Sequence, residues 1–323
     1  MTEIVTIDIG GTHARFAIAK VESDGRICVG EPQTLPTREH VSFQTAWETF
    51  REHQGGTLPS AIAMAIAGPV GGDIIRFTNN PWVIRPSALS AQLGVERFTI
   101  VNDFEAVAHS VAHADADHLQ RLAGPDEPLP SVGAITVIGP GTGLGVALLL
   151  RDKTGYHVQA TEGGHIDFAP KDMIEDAVLA RLRKRHTRVS VERVVSGPAI
   201  VEIYETLAAM EGRAVHARSD VDIWTAGTDG SDSLAAAAVE HFCMALGSAA
   251  GDFALAHGAR GVVVAGGLGY RIRETLVNSA FSDRFNAKGR FAGIMAAIPV
   301  KLIIHSQPGL FGAAAAFVRE HLR

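Results

Sequence analysis

Apolar and polar residues follow two kinds of period along this chain, and the two kinds alternate. Residues 4–18 hold two apolar, β-branched runs around Gly10-Gly11-Thr12, and this pattern predicts a β-hairpin. Residues 61–67 form a continuous apolar run, which is typical of a strand buried on both faces. Residues 42–53 repeat apolar side chains at helical spacing, with Ser42 as the predicted N-cap. This alternation of strands and helices predicts an α/β fold with a mostly parallel sheet.

The second part of the chain repeats the opening pattern. Residues 134–138 and 144–150 are predicted strands on either side of Gly139-Pro140-Gly141-Thr142-Gly143, and this repetition indicates internal duplication. The polar, proline-containing residues 114–131 mark the passage between two domains. Further strands are predicted at residues 27–34, 98–101, 156–160, 261–265 and 300–304, and further helices at residues 86–93, 104–113, 173–186, 200–210, 234–257 (opened by Ser231) and 309–322.

Length and composition narrow the classes of function. The 323 residues suit two domains, and 46% hydrophobic with 20% charged residues indicate a globular chain. The formal net charge of −6 argues against a nucleic-acid surface. Cys28 and Cys243 provide neither a disulfide framework nor zinc-ligand spacing, so we expect a reducing cytoplasm. The start of the chain lacks the pattern of a signal peptide. Charged residues interrupt the apolar stretch at 234–257, so we predict a buried helix and no membrane span.

Glycine-rich turns after apolar strands are the first candidate for chemistry. Adjacent glycines let backbone N–H groups approach an anion, and a carboxylate at the end of the first strand can hold hydrated Mg²⁺. The chain has no P-loop pattern, so we expect hairpin turns to hold phosphates; ordinary tight turns are the alternative. Gly266-Gly267 can contact a nucleotide's base or ribose, or simply join a strand to a helix. The predicted nucleotide-binding residues are Asp8, Gly10, Gly11, Thr12, Gly141, Thr142, Gly143, Gly266 and Gly267.

Asp103 is the candidate catalytic residue. It follows the strand predicted at residues 98–101, and open α/β sheets bind their ligands at the carboxyl ends of strands. A carboxylate there can accept the proton of an attacking hydroxyl. An N-cap role for the following helix explains Asp103 equally well. Asn102 can hydrogen-bond a polyol or merely begin the turn.

A second group of polar residues fits a sugar site. Glu162-Gly163-Gly164-His165-Ile166-Asp167-Phe168 places carboxylates and an imidazole on one short loop, and these groups hydrogen-bond pairs of hydroxyls. A metal site there has too few spaced ligands to be favoured. Glu192 is a further candidate, although its local sequence favours a solvated helical glutamate paired with Arg188 or Arg193.

Together these motifs resemble those of the bacterial ATP-dependent glucokinases, within the hexokinase and actin-like ATPase superfamily. The matching segments occur in the family's order and span nearly the whole chain. They are Asp8-Ile9-Gly10-Gly11-Thr12-His13-Ala14-Arg15, Thr78-Asn79 with Trp82, Asn102-Asp103-Phe104, Gly139-Pro140-Gly141-Thr142-Gly143-Leu144-Gly145, Glu162-Gly163-Gly164-His165-Ile166-Asp167-Phe168-Ala169-Pro170, Ser190-Val191-Glu192-Arg193-Val194-Val195-Ser196-Gly197-Pro198, Ala265-Gly266-Gly267 and Pro308-Gly309-Leu310.

The resemblance implies a two-domain actin-like ATPase (ribonuclease H-like) fold. Residues 1–113 plus 306–323 would form the small α/β domain and residues 114–305 the large one, with the active site in a cleft between them. The implied reaction is glycolytic: MgATP phosphorylates the 6-hydroxyl of glucose and gives glucose 6-phosphate and ADP. Asp8 would contact Mg²⁺ through water, and a homodimer is expected. The implied general base is Asp103, and the implied sugar-binding residues are Asn102, Asp103, Glu162, His165 and Glu192.

Two positions depart from the family's pattern. His13 stands where the family usually has asparagine, and Pro140 stands where it usually has a small residue. Pro140 is expected to remove one backbone donor from the second turn. No cysteine-rich zinc motif follows His165, which argues against the related ROK sugar kinases. The alternatives are a kinase for another hexose, a non-catalytic sugar-sensing regulator on the same fold, and an actin-like assembly ATPase.

Overall fold

The computed structural model describes residues 1–77 and 80–322 of the chain. Its strands are β1 (Thr2–Ile9), β2 (His13–Val21), β3 (Ile27–Val29), β4 (Gln33–Pro36), β5 (Ala61–Ile66), β6 (Ile75–Arg76), β7 (Val83–Ile84), β8 (Arg97–Asn102), β9 (Leu119–Ala123), β10 (Gly133–Pro140), β11 (Leu144–Asp152), β12 (Gly155–Thr161), β13 (Gly261–Val264) and β14 (Val300–Ile303).

Its α-helices are α1 (Phe43–His53), α2 (Pro86–Leu93), α3 (Asp103–His113), α4 (Met173–Arg183), α5 (Ile200–Met210), α6 (Asp220–Thr228), α7 (Ser233–His257), α8 (Gly266–Arg271), α9 (Arg273–Asn278), α10 (Phe281–Asn286), α11 (Ala292–Ala296) and α12 (Pro308–His321). Contacts divide the chain into two compact units. Unit 1 is Met1–Ala114 with His305–Arg323, and unit 2 is Asp115–Ile304. The predicted domain boundaries and the predicted cleft stay predictions.

Unit 1 contains a sheet of order β3-β2-β1-β5-β8, with β4 also paired to β2. Alternate side chains of β1 lie on opposite faces of this sheet, as the period of two in a strand requires. Val5, Ile7 and Ile9 pack into the apolar cluster that includes aromatic residues of α1. Ile4 points to the other face and packs with alanines of α12. Asp8 is therefore on the α12 side of the sheet, in step with Ile4.

Unit 2 contains a second sheet, of order β12-β11-β10-β13-β14-β9. One large apolar cluster packs against it, with contributions from α4, α5, α6, α7 and α10. By length and composition α7 would be able to cross a membrane, but most of it is buried inside unit 2. The predicted buried helix is confirmed, since this burial is typical of a core helix.

The two sheets share one topology, as the repeated sequence pattern predicts. In each, an antiparallel hairpin is followed by two parallel strands: β1-β2 with β5 and β8, and β10-β11 with β13 and β14. The parallel strands end in register, because Ile9 pairs with Ile66 and Ile66 pairs with Asn102. The first glycine turn and Asp103 therefore lie at the same edge of the sheet in unit 1.

The structure corrects several predicted elements. Both sheets are mixed and not mostly parallel, because hairpins supply antiparallel neighbours on one side. The strand predicted at residues 27–34 is two short strands, β3 and β4, that both pair with β2. The polar passage at residues 114–131 contains β9, which pairs antiparallel with β14. Asp232, and not Ser231, caps α7, since its side chain accepts the N–H groups of Leu234 and Ala235.

Candidate functional site

The predicted site residues fall into two groups, one in each unit. The first half-site is Asp8, Gly10, Gly11, Thr12, Asn102 and Asp103 in unit 1. The second half-site is Gly141, Thr142, Gly143, Glu162, His165, Glu192, Gly266 and Gly267 in unit 2. Thr78 and Asn79 from the quoted motifs lie outside the described residues.

The carbonyl groups of the first glycine turn are bound from outside the turn. The Thr37 N–H donates to the Thr12 carbonyl at 2.9 Å, and the Thr37 hydroxyl donates to the Gly11 carbonyl at 3.0 Å. Within the described residues, the N–H groups of Gly11 and Thr12 have no acceptor. A turn with occupied carbonyls and free N–H groups presents positive dipole ends, which is the arrangement that binds anions. The Thr12 hydroxyl lies 3.0 Å from the His13 ring nitrogen Nδ1.

Asp8 lies at the end of β1, below this turn. Its carboxylate accepts a hydrogen bond from the Arg15 guanidinium on β2 at 3.1 Å, because the hairpin register places these residues opposite each other. Burial raises the pKa of the Asp8 carboxyl, and the nearby Arg15 charge opposes that rise. On the α12 side, the place where a Cβ would stand on Gly309 is 2.9 Å from the Asp8 carboxylate.

Asn102, and not Asp103, is the N-cap of α3. The Phe104 and Glu105 N–H groups donate to Asn102 Oδ1 at 2.9 and 3.2 Å, and the Glu105 side chain completes a capping box. The alternative in which Asp103 caps the helix is therefore wrong. The Asn102 amide also donates to the Gly68 carbonyl at 3.2 Å, so much of its polar capacity is used inside unit 1.

Asp103 is the first residue of α3 and is half-buried. Its Oδ1 accepts the Phe104 N–H at 2.8 Å. Burial raises the pKa of the Asp103 carboxyl; the Phe104 hydrogen bond lowers it, and the negative charge of Asp8 raises it further. A carboxylate with a raised pKa is a stronger base than an exposed aspartate.

Two other parts of unit 2, around Gly197 and Gly266, contact the second glycine turn. The Gly197 N–H donates to the Gly141 carbonyl at 2.7 Å, and the Trp224 indole donates to the Gly197 carbonyl at 2.9 Å. Gly266 lies against the Pro140 carbonyl, 2.9 Å from where its Cβ would be. Within the described part of the chain, the N–H groups of Thr142 and Gly143 have no acceptor.

Pro140 has a milder effect than its sequence position predicts. It is the last residue of β10 and pairs with Leu144, outside the three-residue turn 141–143. The donor that it lacks is therefore a donor of the strand, and the turn keeps its own N–H groups.

Gly266 and Gly267 begin α8, and Ala265 is the single residue between β13 and this helix. Gly266 has a φ of +88°, which explains a glycine at this junction. A Cβ on Gly267 would meet nothing within 4 Å. The junction between a strand and a helix is thus present, and nucleotide contact by these residues stays a prediction.

Glu162 and His165 are exposed and adjacent. Glu162 follows β12, and the next residues form a 3-10 turn over Gly163–His165. The two side chains approach to 3.7 Å, with 83% of the Glu162 side chain and 56% of the His165 side chain exposed. Gly164 packs against the Leu144 carbonyl so closely that a Cβ would not fit. The loop of Glu162 is therefore held against the exit of the second glycine turn.

Glu192 does not form the surface ion pair that its local sequence favours. Its Oε2 accepts the Leu144 N–H at 2.9 Å, and its carboxylate occupies the space where a Gly143 side chain would stand. The Val191 N–H donates to the Ile166 carbonyl at 2.9 Å. The second half-site is consequently one connected group, in which Glu192 contacts the glycine turn directly.

Sequence reasoning missed the residues that support these groups. Thr37 and Gly197 donate to turn carbonyls, and Trp224 donates to the Gly197 carbonyl. All three are separated from the turns by long stretches of chain. Gly197 and Gly309 were visible as parts of matching motifs, but the motifs gave them no role.

Known proteins resemble this chain over nearly its whole length. The Glucokinase family model matches residues 5–320. The chain is 54% identical to a glucokinase of Zymomonas mobilis over 319 residues, which cover 99% of this chain and 98% of that protein.

Solved structures are similar over the same length. The crystal structure of a glucokinase from an Antarctic psychrotroph has a TM-score of 0.88 at 31% identity, and the match covers 99% of both chains. A ROK family glucokinase from Streptomyces griseus, in complex with glucose and AMPPNP, has a TM-score of 0.59 at 18% identity and covers 97% of this chain and 98% of its own; this likeness concerns the fold alone. The chain therefore belongs to the glucokinase family, whose members are ATP-dependent kinases that phosphorylate glucose.

Proposed function

We propose that the chain transfers the terminal phosphoryl group of MgATP to the 6-hydroxyl of glucose, with Asp103 as the general base. One observation carries the assignment of the base. Asp103 and the first glycine turn lie at the same edge of one sheet, because β1, β5 and β8 end in register. A proton acceptor and an anion-binding turn at one edge are what phosphoryl transfer to a hydroxyl requires.

Asp103 is suited to take the proton. Its Oδ1 is occupied by the Phe104 N–H, so we assign the proton to Oδ2. The hydroxyl oxygen forms a bond to the γ-phosphorus, its proton passes to Asp103, and the bond from the γ-phosphorus to the bridging oxygen breaks. ADP leaves with the electron pair of that bond. The raised pKa of Asp103 favours proton transfer during attack.

The two glycine turns are proposed to bind phosphate oxygens. Their carbonyl groups are engaged by Thr37 in one case and by Gly197 in the other, which leaves N–H groups for the ligand. Fixed donors of this kind stabilise the charge that develops in the transition state without needing to reorganise.

Asp8 fits a magnesium contact. It offers hard oxygen atoms, and within the described residues no group of three or more His, Cys, Asp or Glu side chains forms a metal cage. Mg²⁺ commonly binds through one or two carboxylates, water and substrate phosphates, so a single aspartate suits it. When bound, the ion would neutralise charge on the phosphates. Asp8 would hold it through water, and Arg15 would release the Asp8 carboxylate.

Glu162, His165 and Glu192 are proposed to bind sugar hydroxyls, with Asn102 contributing its remaining amide hydrogen. The exposure of Glu162 and His165 leaves both side chains available to a ligand. Glu192 offers Oε1, because its Oε2 is bound to Leu144. Carboxylate acceptors on several hydroxyls discriminate strongly among sugars, because a mismatch leaves polar groups unpaired.

A coupled assay of ATP consumption over a panel of hexoses tests the proposal. We expect turnover that depends on glucose and is lower with mannose, fructose and amino sugars. Preference for one of those sugars would indicate a kinase for another hexose. ATP turnover independent of sugar would favour an assembly ATPase, and binding without turnover would indicate a sugar-sensing regulator.

Three further expectations accompany this proposal. We expect a homodimer, which the mass of the particle in solution measures. We also expect a cytoplasmic location, and membership outside the ROK group because no cysteine-rich motif follows His165.

A further inference from the structure

The first turn of α12 lies directly behind the Asp8 carboxylate. Gly309 is the second residue of this helix, and a Cβ placed on it would stand 2.9 Å from both Cγ and Oδ2 of Asp8 and 3.3 Å from Oδ1. Real Cβ atoms do not approach other heavy atoms so closely. Any residue other than glycine must therefore move either the carboxylate or the helix.

The helix is not free to move. The hydroxyl of Thr6, a fully buried residue of β1, donates to the Leu310 carbonyl at 2.6 Å. One turn further along, Gly312 packs against the Ala106 carbonyl of α3 with no room for a Cβ. These contacts fix the first turn of α12 to β1 on one side and to α3 on the other.

The carboxylate is the part that can yield. Asp8 is held by the Arg15 guanidinium at 3.1 Å on the hairpin side, and that ion pair is partly exposed. A methyl group on Gly309 would therefore press the Asp8 side chain away from α12 while β1 stays in place.

We propose that Gly309 is a positioning residue for Asp8, and that Thr6 and Gly312 brace the helix turn that carries it. The absence of a side chain at Gly309 sets where the Asp8 carboxylate stands at the end of β1. This inference rests on the proposed contact between Asp8 and Mg²⁺. It predicts that Gly309→Ala impairs binding of the magnesium complex of a nucleotide and spares the metal-free nucleotide.

Calorimetric titration with ADP, with and without Mg²⁺, tests the proposal on the intact chain. The proteins are wild type, Gly309→Ala, Asp8→Asn and the double variant. Gly293→Ala is the matched control, because that glycine of α11 has no atom within 4 Å of its Cβ position. Thermal unfolding of each protein verifies that it is folded.

We expect Gly309→Ala to weaken MgADP binding about tenfold, since displacements of ~1 Å at such sites are costly, and to change metal-free ADP binding less than about twofold. In the Asp8→Asn background the same substitution should have no further effect, because a residue that acts only through Asp8 is fully coupled to it. Gly293→Ala should match wild type.

Other results of these titrations would contradict either the positioning role of Gly309 or the magnesium role of Asp8. Three results would overturn the positioning role of Gly309. Gly309→Ala could weaken the binding of MgADP and metal-free ADP equally, or keep its full effect in the Asp8→Asn background, or leave MgADP affinity unchanged. If Asp8→Asn alone leaves MgADP binding unchanged, the proposed magnesium role of Asp8 fails. In that case any effect of Gly309→Ala does not pass through Asp8, and the inference fails with it.

Discussion

The two half-sites lie on sheets of similar topology, but they differ in the burial of their polar side chains. The first half-site places its carboxylates, Asp8 and Asp103, where burial raises their pKa values. The second half-site leaves Glu162 and His165 exposed and builds its rigidity from backbone contacts around Gly143 and Leu144.

This difference fits a division of labour. Groups that move a proton benefit from burial, because burial brings their pKa nearer to the working pH. Groups that bind hydroxyls benefit from exposure before the ligand arrives and from a rigid support, since a preorganised site loses less entropy on binding. Substitutions in the two half-sites should therefore separate turnover from sugar affinity.

The largest expected effect is that of Asp103→Asn. It removes the proton acceptor and should lower kcat by roughly 10²-fold or more, while glucose still binds. Steady-state kinetics and direct glucose titration measure the two quantities. Asp117→Asn, at an exposed aspartate, is the control. Near-normal turnover would show that Asp103 is not the general base.

Glu162→Gln should lower the affinity for glucose and largely spare kcat, the reverse of what is expected for Asp103→Asn. It replaces an exposed carboxylate by an amide and loses a charge-assisted hydrogen bond, worth about 1.5–3 kcal/mol, so glucose affinity should fall roughly 10- to 100-fold. We expect kcat to change much less. Titration with glucose checks this, with Glu127→Gln at an exposed position as control. An unchanged affinity would place Glu162 outside the sugar site.

Gly143→Ala should weaken the binding of both glucose and the nucleotide to the second half-site. Its Cβ would occupy the place of the Glu192 carboxylate, so we expect a loss of about tenfold in glucose affinity, comparable to one charge-assisted hydrogen bond, together with weaker nucleotide binding. Gly141→Ala has open space around its Cβ position and should leave glucose affinity unchanged. Equal glucose affinity in the two variants would contradict the link from Glu192 to the turn.

The smallest expected effect concerns stability. Folded Asp103 binds its proton more tightly than unfolded Asp103, because burial raises its pKa. The ionised side chain therefore opposes folding at neutral pH, and this cost disappears as pH falls through the raised pKa toward the ordinary value near ~3.9. Asp103→Asn should unfold at a slightly higher temperature than wild type at pH 7. The difference should vanish at about pH 3, below both the raised and the ordinary pKa; a variant less stable at both pH values would contradict this.

The raised pKa of Asp103 should also affect the pH dependence of catalysis. Because the base must be ionised, kcat should decline on acidification through a pKa above that of an exposed aspartate. This limb of the pH profile belongs to the first half-site, and Glu162→Gln should leave it in place.

Strong periodic patterns allowed much of the fold to be predicted. The helix at residues 200–210 matches α5, and both hairpins with their glycine turns are present. β9 was missed because Gln120 and Arg121 interrupt its apolar pattern, and pairing with β14 supplies its stability.

Contacts distant in sequence could not be predicted in this way. Local sequence suggested arginine partners for Glu192, but its hydrogen bond joins it to Leu144, 48 residues away. Asp103 could not be told from a helix cap, because both roles use an aspartate at the end of a strand. The capping box formed by Asn102 and Glu105 removes the helix-cap alternative, and the catalytic role of Asp103 stays a prediction.

The position of α12 in the chain has a consequence for biosynthesis. The chain leaves unit 1 at Ala114 and returns to it only at His305. At synthesis rates of ~5–20 residues per second, this interval lasts on the order of ten seconds or more. During that time β1 and α3 exist without the helix that packs against Thr6, Asp8 and Ala106. The helix α12, which supports Asp8 and α3, is therefore synthesised only after the whole of unit 2.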